Sequence, residues 1–203
     1  MRFRNYLSEE KGDIRELVQK NCKDILKEYA SGRPFIWRGV KDIGQVEWIE
    51  KKSHIRYRHP LDTPKWIHNA MNDLLRKNFG WPVRNGVPTT INPMQASYYG
   101  REMVFFPFDP YKYVYFTETS DFYTWLWKKA SIIFKVDLED VALMPEKDVP
   151  QDTREKIKKY LEKTVVKEFT DKNYWQSKGE IFFNTKRYYL IDKMIAKEIS
   201  PRI

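Results

Sequence analysis

Two short segments, far apart in the chain, carry residue types that could act on a charged sugar. The first is the apolar run 34–40, which ends with Arg38 and Gly39 before a valine. In the second, Glu180 opens a stretch rich in β-branched and aromatic residues. A guanidinium binds a diphosphate through its planar fork, and a carboxylate stabilises a cationic sugar electrostatically. The pair therefore predicts a site that binds a phosphorylated sugar and stabilises positive charge on it.

A third segment supplies hydroxyls and aromatic rings between these two. Thr89 and Thr90 precede an Asn-Pro pair at 92–93, which is typical of a helix start because asparagine caps the first turn and proline suits the first helical position. Hydroxyls at a strand end can orient a neighbouring arginine or carboxylate. Tyr98 and Tyr99 follow and can offer a flat face to an aromatic ring.

In this order, the three segments resemble the signature blocks of the ADP-ribosyltransferase superfamily. That family has Arg-Gly on its first core strand, then Ser-Thr-Ser-x-(Asp/Asn)-Pro-x-x-Ala, then a catalytic Glu that opens a strand. Thr89 matches the middle Thr of the second block, and Thr90 matches its second Ser. The other matching residues are Arg38, Gly39, Asn92, Pro93, Ala96 and Glu180. The run from residue 58 to residue 100 is also similar to phage-type proteins.

The resemblance implies an α+β fold of the ADP-ribosyltransferase type, a split β-sandwich with flanking helices and a cleft that binds NAD in a bent shape. Glu180 would be catalytic, holding the ribose 2′-hydroxyl and stabilising the oxocarbenium ion as nicotinamide leaves. Arg38 would hold the diphosphate or the nicotinamide ribose, and Thr90 would hydrogen-bond Glu180 or the ribose. The implied NAD-binding residues are Arg38, Gly39, Thr89, Thr90, Tyr98 and Tyr99, with Tyr98 or Tyr99 stacking on nicotinamide.

Departures from the family pattern bear on the acceptor of the ADP-ribose. Arginine-modifying members carry a second Glu two residues before the catalytic one, where this chain has Lys178. Gln176 lies four residues before Glu180 and is out of register, and Pro88 replaces the first Ser. The resemblance therefore favours a single-Glu enzyme that modifies a protein or a nucleic acid at a group other than arginine.

Each of these residues also has an ordinary alternative. Arg38 can be a surface arginine after a core strand, the pair 89–90 can be a capping turn, and Glu180 can be a charged strand start. A second function class follows from the net charge of +9, because excess positive charge attracts polyanions. This alternative is a nucleic-acid-binding protein or nuclease without NAD chemistry, whose phosphate-facing residues would be Arg56, Arg58, His59, Lys65 and Arg84. A third is a protein-binding factor that keeps the fold without the chemistry.

Composition limits the class of protein further. With 203 residues, of which 41% are hydrophobic, the chain suits a single domain over 1–203 with a substantial core. No apolar run is long enough to span a bilayer and no signal peptide is evident, so we expect no membrane association. The single cysteine, Cys22, fits a cytoplasmic protein with no disulfide-linked partner. No Cys, His or carboxylate cluster has metal-site spacing, so we expect no metal.

The elements that must position these residues follow from hydrophobic periodicity. We predict helices over 13–30, from Thr63 and Pro64 to Gly80, over 121–129 and over 152–169. Strands are predicted at 35–37, 54–59 and 131–136. We also predict that 103–106 pairs with 113–116 and that 180–183 forms a closing hairpin with 187–192. Helices mostly precede strands without a regular βαβ rhythm, which favours an α+β fold.

Overall fold

The computed structural model describes residues 13–53, 63–118 and 146–200, together with residues 122, 124–126, 128 and 144. The α-helices within the three long ranges are α1 (Ile14–Asn21), α2 (Lys23–Ala30), α3 (Lys65–Phe79), α4 (Pro93–Ser97), α5 (Gln151–Lys163) and α6 (Lys193–Ile199). The strands are β1 (Trp37–Val40), β2 (Trp48–Lys52), β3 (Val87–Thr90), β4 (Arg101–Pro107), β5 (Lys112–Phe116), β6 (Phe169–Thr170), β7 (Glu180–Asn184) and β8 (Arg187–Ile191). The fold class is mixed α+β, as the sequence predicts.

These strands form one antiparallel sheet in the order β2-β8-β4-β1-β3-β7-β5-β6. Strands β1 and β3 meet at a single residue pair, Trp37 with Thr90. By contrast, β1 pairs with β4, and β3 pairs with β7, over four residues each. The sheet therefore consists of two four-stranded halves, β2-β8-β4-β1 and β3-β7-β5-β6, which are joined at one point.

The sheet is strongly curved, so that one face of each half packs on the other. The ring centroids of Phe105 in β4 and Phe183 in β7 are 5.0 Å apart, although β1 and β3 lie between these strands. Three strand spacings in a flat sheet would separate them by about 14 Å. We call the face that carries Phe105 and Phe183 the inner face, and the face that carries Phe106 and Phe182 the outer face.

Helices cover the outer face of both halves. Tyr29 of α2 packs edge-on against Phe106 at 5.3 Å. On the other half, Met71 and Leu75 of α3 and Leu161 of α5 belong to the same buried cluster as Phe182. Between these two covered regions lie β1 and β3, where α4 packs on β1. The candidate site is located there.

Two pairings differ from those that the sequence predicts. Strands β4 and β5 do not pair with each other, since β4 pairs with β1 and β8 while β5 pairs with β6 and β7. Strands β7 and β8 likewise do not form a hairpin, since β7 pairs with β3 and β5 and β8 pairs with β2 and β4. In both cases the chain crosses from one half of the sheet to the other, which neighbouring sequence cannot indicate.

The helix predictions are confirmed in part. The segment 13–30 forms two helices rather than one, with a break at Cys22, whose ψ of 40° departs from helical geometry. Helix α3 begins at Lys65, with Pro64 rather than Thr63 at the N-cap position, and it ends at Gly80 in the left-handed region as predicted. The predicted strands 54–59 and 131–136 lie outside the described residues, as does most of the predicted helix 121–129.

Within the described ranges, no helix is both long and apolar enough to cross a membrane.

Cys22 is a buried free thiol, and burial together with nearby Asp109 raises its pKa well above its usual range. Because the thiolate is the reactive form, this cysteine is a packing residue rather than a nucleophile.

Candidate functional site

The three motif segments lie on three neighbouring strands. Register places Trp37 of β1 opposite Thr90 of β3, and Thr90 opposite Glu180 of β7. Residues directly opposite each other in an antiparallel sheet carry their side chains on the same face. Thr90 and Glu180, which the sequence assigns to one site, are therefore direct cross-strand neighbours on the outer face.

Thr90 and Asn92 organise the start of α4. The Thr90 hydroxyl donates to Gln95 Oε1 at 2.8 Å and accepts from the Asn92 amide at 3.1 Å. Asn92 caps the helix by accepting from the amides of Met94 and Gln95, and Pro93 occupies its first turn. The predicted Asn-Pro helix start is confirmed. The Thr90 hydroxyl is therefore engaged with α4 rather than with Glu180.

Glu180 forms an ion pair with Arg84, a residue of the 3-10 turn Val83–Asn85. Arg84 Nη1 lies 3.1 Å from Glu180 Oε2, and the two side chains are 6% and 21% exposed. The Arg84 guanidinium also lies 4.6 Å from the ring centroid of Phe122 and 5.0 Å from that of Phe182. Arg84 is therefore buried, and its assignment to a phosphate-facing surface is wrong.

Hydrogen bonds fix the backbone that carries Arg84. The Arg84 amide donates to Asn72 Oδ1 at 2.8 Å, and the Asn72 side-chain amide donates to Asn85 Oδ1 at 2.8 Å. His68 Nε2 lies 2.8 Å from the same Asn85 oxygen. Helix α3 thus holds the turn in place through two side chains one helical turn apart. The consequence is that Glu180 faces a pre-positioned guanidinium.

Arg38 lies on the opposite face of the sheet from Glu180. It follows Trp37, and successive side chains in a strand point to opposite faces. Its Nη1 donates to the Pro88 carbonyl at 2.6 Å, in the gap where β1 and β3 separate. The guanidinium also lies 5.9 Å from the ring centroid of Tyr188 on the inner face.

Arg38 has no carboxylate partner among the described residues. Desolvation lowers the pKa of the Arg38 guanidinium, and the nearby Tyr188 opposes this shift. Desolvation also lowers the pKa of Lys51, and repulsion from Arg38 adds to this effect. Two neighbouring cations that are partly removed from water, and that form no ion pair in the described ranges, favour the binding of an anion.

Gly39 and Thr89 have structural roles in this arrangement. A Cβ at position 39 would overlap the carbonyl oxygen of Ala96 and would lie 2.9 Å from Tyr99 Cβ, so only glycine lets α4 pack this closely on β1. The buried Thr89 hydroxyl donates to the Ile181 carbonyl at 2.9 Å. Both residues hold the strands and α4 that carry the site.

Two tyrosines follow α4 at the surface. Tyr98 is 76% exposed and Tyr99 is 55% exposed, next to Met94, which is 67% exposed. Large aromatic side chains with this exposure can stack on a planar ligand or base. Tyr99 lies against Gly39, and the stacking of Tyr98 or Tyr99 on nicotinamide stays a prediction.

Sequence reasoning missed Lys51 and the ion-pair role of Arg84. Arg84 lies between a buried valine and an Asn-Gly turn, which is a weak signal for a buried charge. Nothing in the local sequence separates Lys51 from Lys52, and only the pairing of β2 with β8 places Lys51 beside Tyr188. The described residues contain no group of three His, Cys, Asp or Glu side chains that could hold a metal ion.

Comparison of the chain with protein-family models, with curated proteins and with solved structures finds no significant match.

Proposed function

We propose that this protein is an NAD-dependent ADP-ribosyltransferase-like enzyme that transfers ADP-ribose to a protein or nucleic-acid acceptor. The observation that carries the proposal is the position of the three motif segments on the neighbouring strands β1, β3 and β7, with Thr90 directly opposite Glu180. The division of the sheet into two halves joined at one residue pair is consistent with a split β-sandwich.

The reaction breaks the bond between ribose C1′ and the nicotinamide nitrogen, and nicotinamide leaves with the electron pair. The Glu180 carboxylate stabilises the positive charge that develops on the ribose. The acceptor then attacks C1′ and loses its proton to solvent. Arg84 keeps the carboxylate oriented, because the ion pair fixes one of its two oxygens and leaves the other for the ribose.

Arg38 and Lys51 supply the positive charge that the NAD diphosphate requires. A guanidinium binds a phosphate through two parallel hydrogen bonds, and Lys51 adds a second cation. Arg38 lies on the inner face and Glu180 on the outer face. A dinucleotide that contacts both must therefore cross the gap between β1 and β3, which Arg38 now bridges by its bond to Pro88.

Nicotinamide release from NAD, measured by chromatography, tests the chemistry. We expect release by the wild type and a loss of at least about a hundredfold in Glu180→Gln, as for removal of one group that stabilises transition-state charge. Glu162→Gln on the exposed side of α5 is the matched control and should retain full activity. Circular dichroism and NAD-induced thermal stabilisation check that Glu180→Gln is folded and still binds NAD. A wild type that neither releases nicotinamide nor binds NAD contradicts the proposal.

The cations Arg38 and Lys51, which form no ion pair within the described part of the chain, also favour the second function class, a nucleic-acid-binding protein. Binding of single-stranded RNA or DNA should then weaken steeply as salt rises. Lys51→Ala should reduce both the affinity and the salt slope, whereas Lys52→Ala, on the exposed opposite side of β2, should change them less. Salt-insensitive or absent binding excludes this class, and equal effects of both substitutions contradict the role of Lys51.

A further inference from the structure

A second cleft lies on the outer face of β1 and does not use the residues assigned to NAD. Its volume is about 570 Å³, and its lining includes Phe35, Trp37, Pro93, Lys193, Lys197 and Ser200. This size falls within the range of small-molecule sites. The wall is apolar and aromatic on the β1 and β3 side and cationic on the side of α6.

The two lysines of this cleft have no acidic partner among the described residues. Lys193 and Lys197 are four residues apart on α6, so they lie on one side of the helix. The acids nearest in sequence are engaged elsewhere, since Asp192 pairs with Arg101 and Glu198 with Arg15. Like charges at this spacing destabilise a helix slightly, and a bound anion removes that repulsion.

Ser200 contributes an unsatisfied hydroxyl to the same cleft. Its side-chain oxygen is buried and has no hydrogen-bond partner among the described residues, and the residue is 2% exposed. A buried hydroxyl without a partner costs free energy. A ligand oxygen in the cleft would satisfy it.

The opposite wall fits the flat body of an aromatic ligand. Trp37 and Phe35 line this wall, and the Lys193 Nζ lies 5.9 Å from the Trp37 ring centroid. We propose that this cleft binds a planar aromatic anion of nucleoside monophosphate size. Its ring packs against Trp37 and Pro93, and its phosphate is held by Lys193, Lys197 and the Ser200 hydroxyl.

Isothermal titration with adenosine 5′-monophosphate, inorganic phosphate and adenosine tests this site. We expect the nucleotide to bind more tightly than either fragment. The double substitution Lys193→Gln with Lys197→Gln should weaken it by about tenfold or more, the usual effect of losing hydrogen bonds from charged groups. The matched control is Lys159→Gln with Lys163→Gln, an exposed pair at the same spacing on α5, which should leave binding unchanged.

A further variant tests the hydroxyl of this cleft. Ser200→Ala should weaken nucleotide binding without lowering the melting temperature, because its hydroxyl has no partner among the described residues. The proposal is overturned if the nucleotide does not bind, if Ser200→Ala leaves the affinity unchanged, or if the α5 control loses as much affinity as the α6 pair.

Discussion

The carboxylate with the clearest chemical role, Glu180, also forms an ion pair with the buried Arg84. Replacing it therefore has two effects, the loss of a charge for catalysis and the loss of this ion pair. Removal of one partner from a buried ion pair costs far more than the pair contributes, because the remaining charge is uncompensated. Stability and activity at this residue must be measured separately.

A double-mutant cycle makes this separation at the residue scale. We expect Glu180→Gln to lower the free energy of unfolding by about 2–4 kcal/mol, less than a fully buried pair because Glu180 is partly exposed. Arg84→Met, which keeps the packing against Phe122 and Phe182, should lower the free energy of unfolding by less than Glu180→Gln does. Urea unfolding of both single variants and of the double variant gives the interaction free energy between the two side chains, which should be about 1–3 kcal/mol. Additive effects would show that the ion pair contributes nothing.

At the scale of elements, short helices with well-formed caps hold the site. Helix α4 has five residues, too few to be stable alone, and it forms because Asn92 caps it and Gly39 lets it touch β1. Helix α6 is capped by Asp192, whose carboxylate accepts from the Met194 amide at 2.9 Å and from Arg101 at 2.8 Å. These bonds join α6 to β4 and fix the cationic wall of the second cleft.

Asp192 gives a prediction about pH. The hydrogen bond from Met194 and the neighbouring Arg101 lower the pKa of Asp192 below its ordinary value. Its charge therefore adds stability above the unfolded pKa of about 4, and this contribution is lost as pH falls through the lower folded value. Asn caps a helix as well as Asp does, so Asp192→Asn removes the charge and keeps the cap. The substitution should lower the free energy of unfolding by about 0.5–1 kcal/mol at pH 7, and by progressively less toward pH 3.

Urea unfolding of both proteins across this pH range measures the effect. Asp73→Asn, at an exposed position on α3, serves as control and should show little change at either pH. A penalty for Asp192→Asn that stays constant down to pH 3 would contradict the assignment.

At the scale of the whole molecule, the two halves of the sheet are joined by one strand-to-strand residue pair and by side chains of a shared buried core. The contact between β1 and β3 is limited to Trp37 with Thr90, so the inner-face packing must carry the connection. Phe105 lies at its centre, fully buried, with ring contacts to Phe183 and Tyr188 at 5.0 Å each. The chain also crosses between the halves several times, which couples their folding.

Phe105→Ala should therefore destabilise both halves together. We expect a loss of about 3–5 kcal/mol, typical of a large aromatic removed from a core, and a single transition. Near-ultraviolet and far-ultraviolet circular dichroism should report the same midpoint in urea. Leu74→Ala at a half-buried position of α3 should cost less. Two separate transitions would show that the halves are independent domains and contradict the single-domain prediction.

The sequence alone determined the elements whose signals are local. The Asn-Pro start of α4, the Gly80 end of α3 and the α+β class follow from capping, backbone freedom and hydrophobic periodicity, which act within a few residues. The sequence also shows the order of the three motif segments along the chain, although it does not show that they lie on the neighbouring strands β1, β3 and β7.

Only the tertiary structure decided how those segments combine. Strand order and register are long-range properties, so the sequence could not show that β7 pairs with β3 rather than with β8, or that Arg38 and Glu180 lie on opposite faces. It also could not show that Arg84 is buried against Glu180, because a charged residue is predicted to be exposed unless its partner is known. The physical reason is that burial and pairing arise from chain segments that meet only after the sheet has formed.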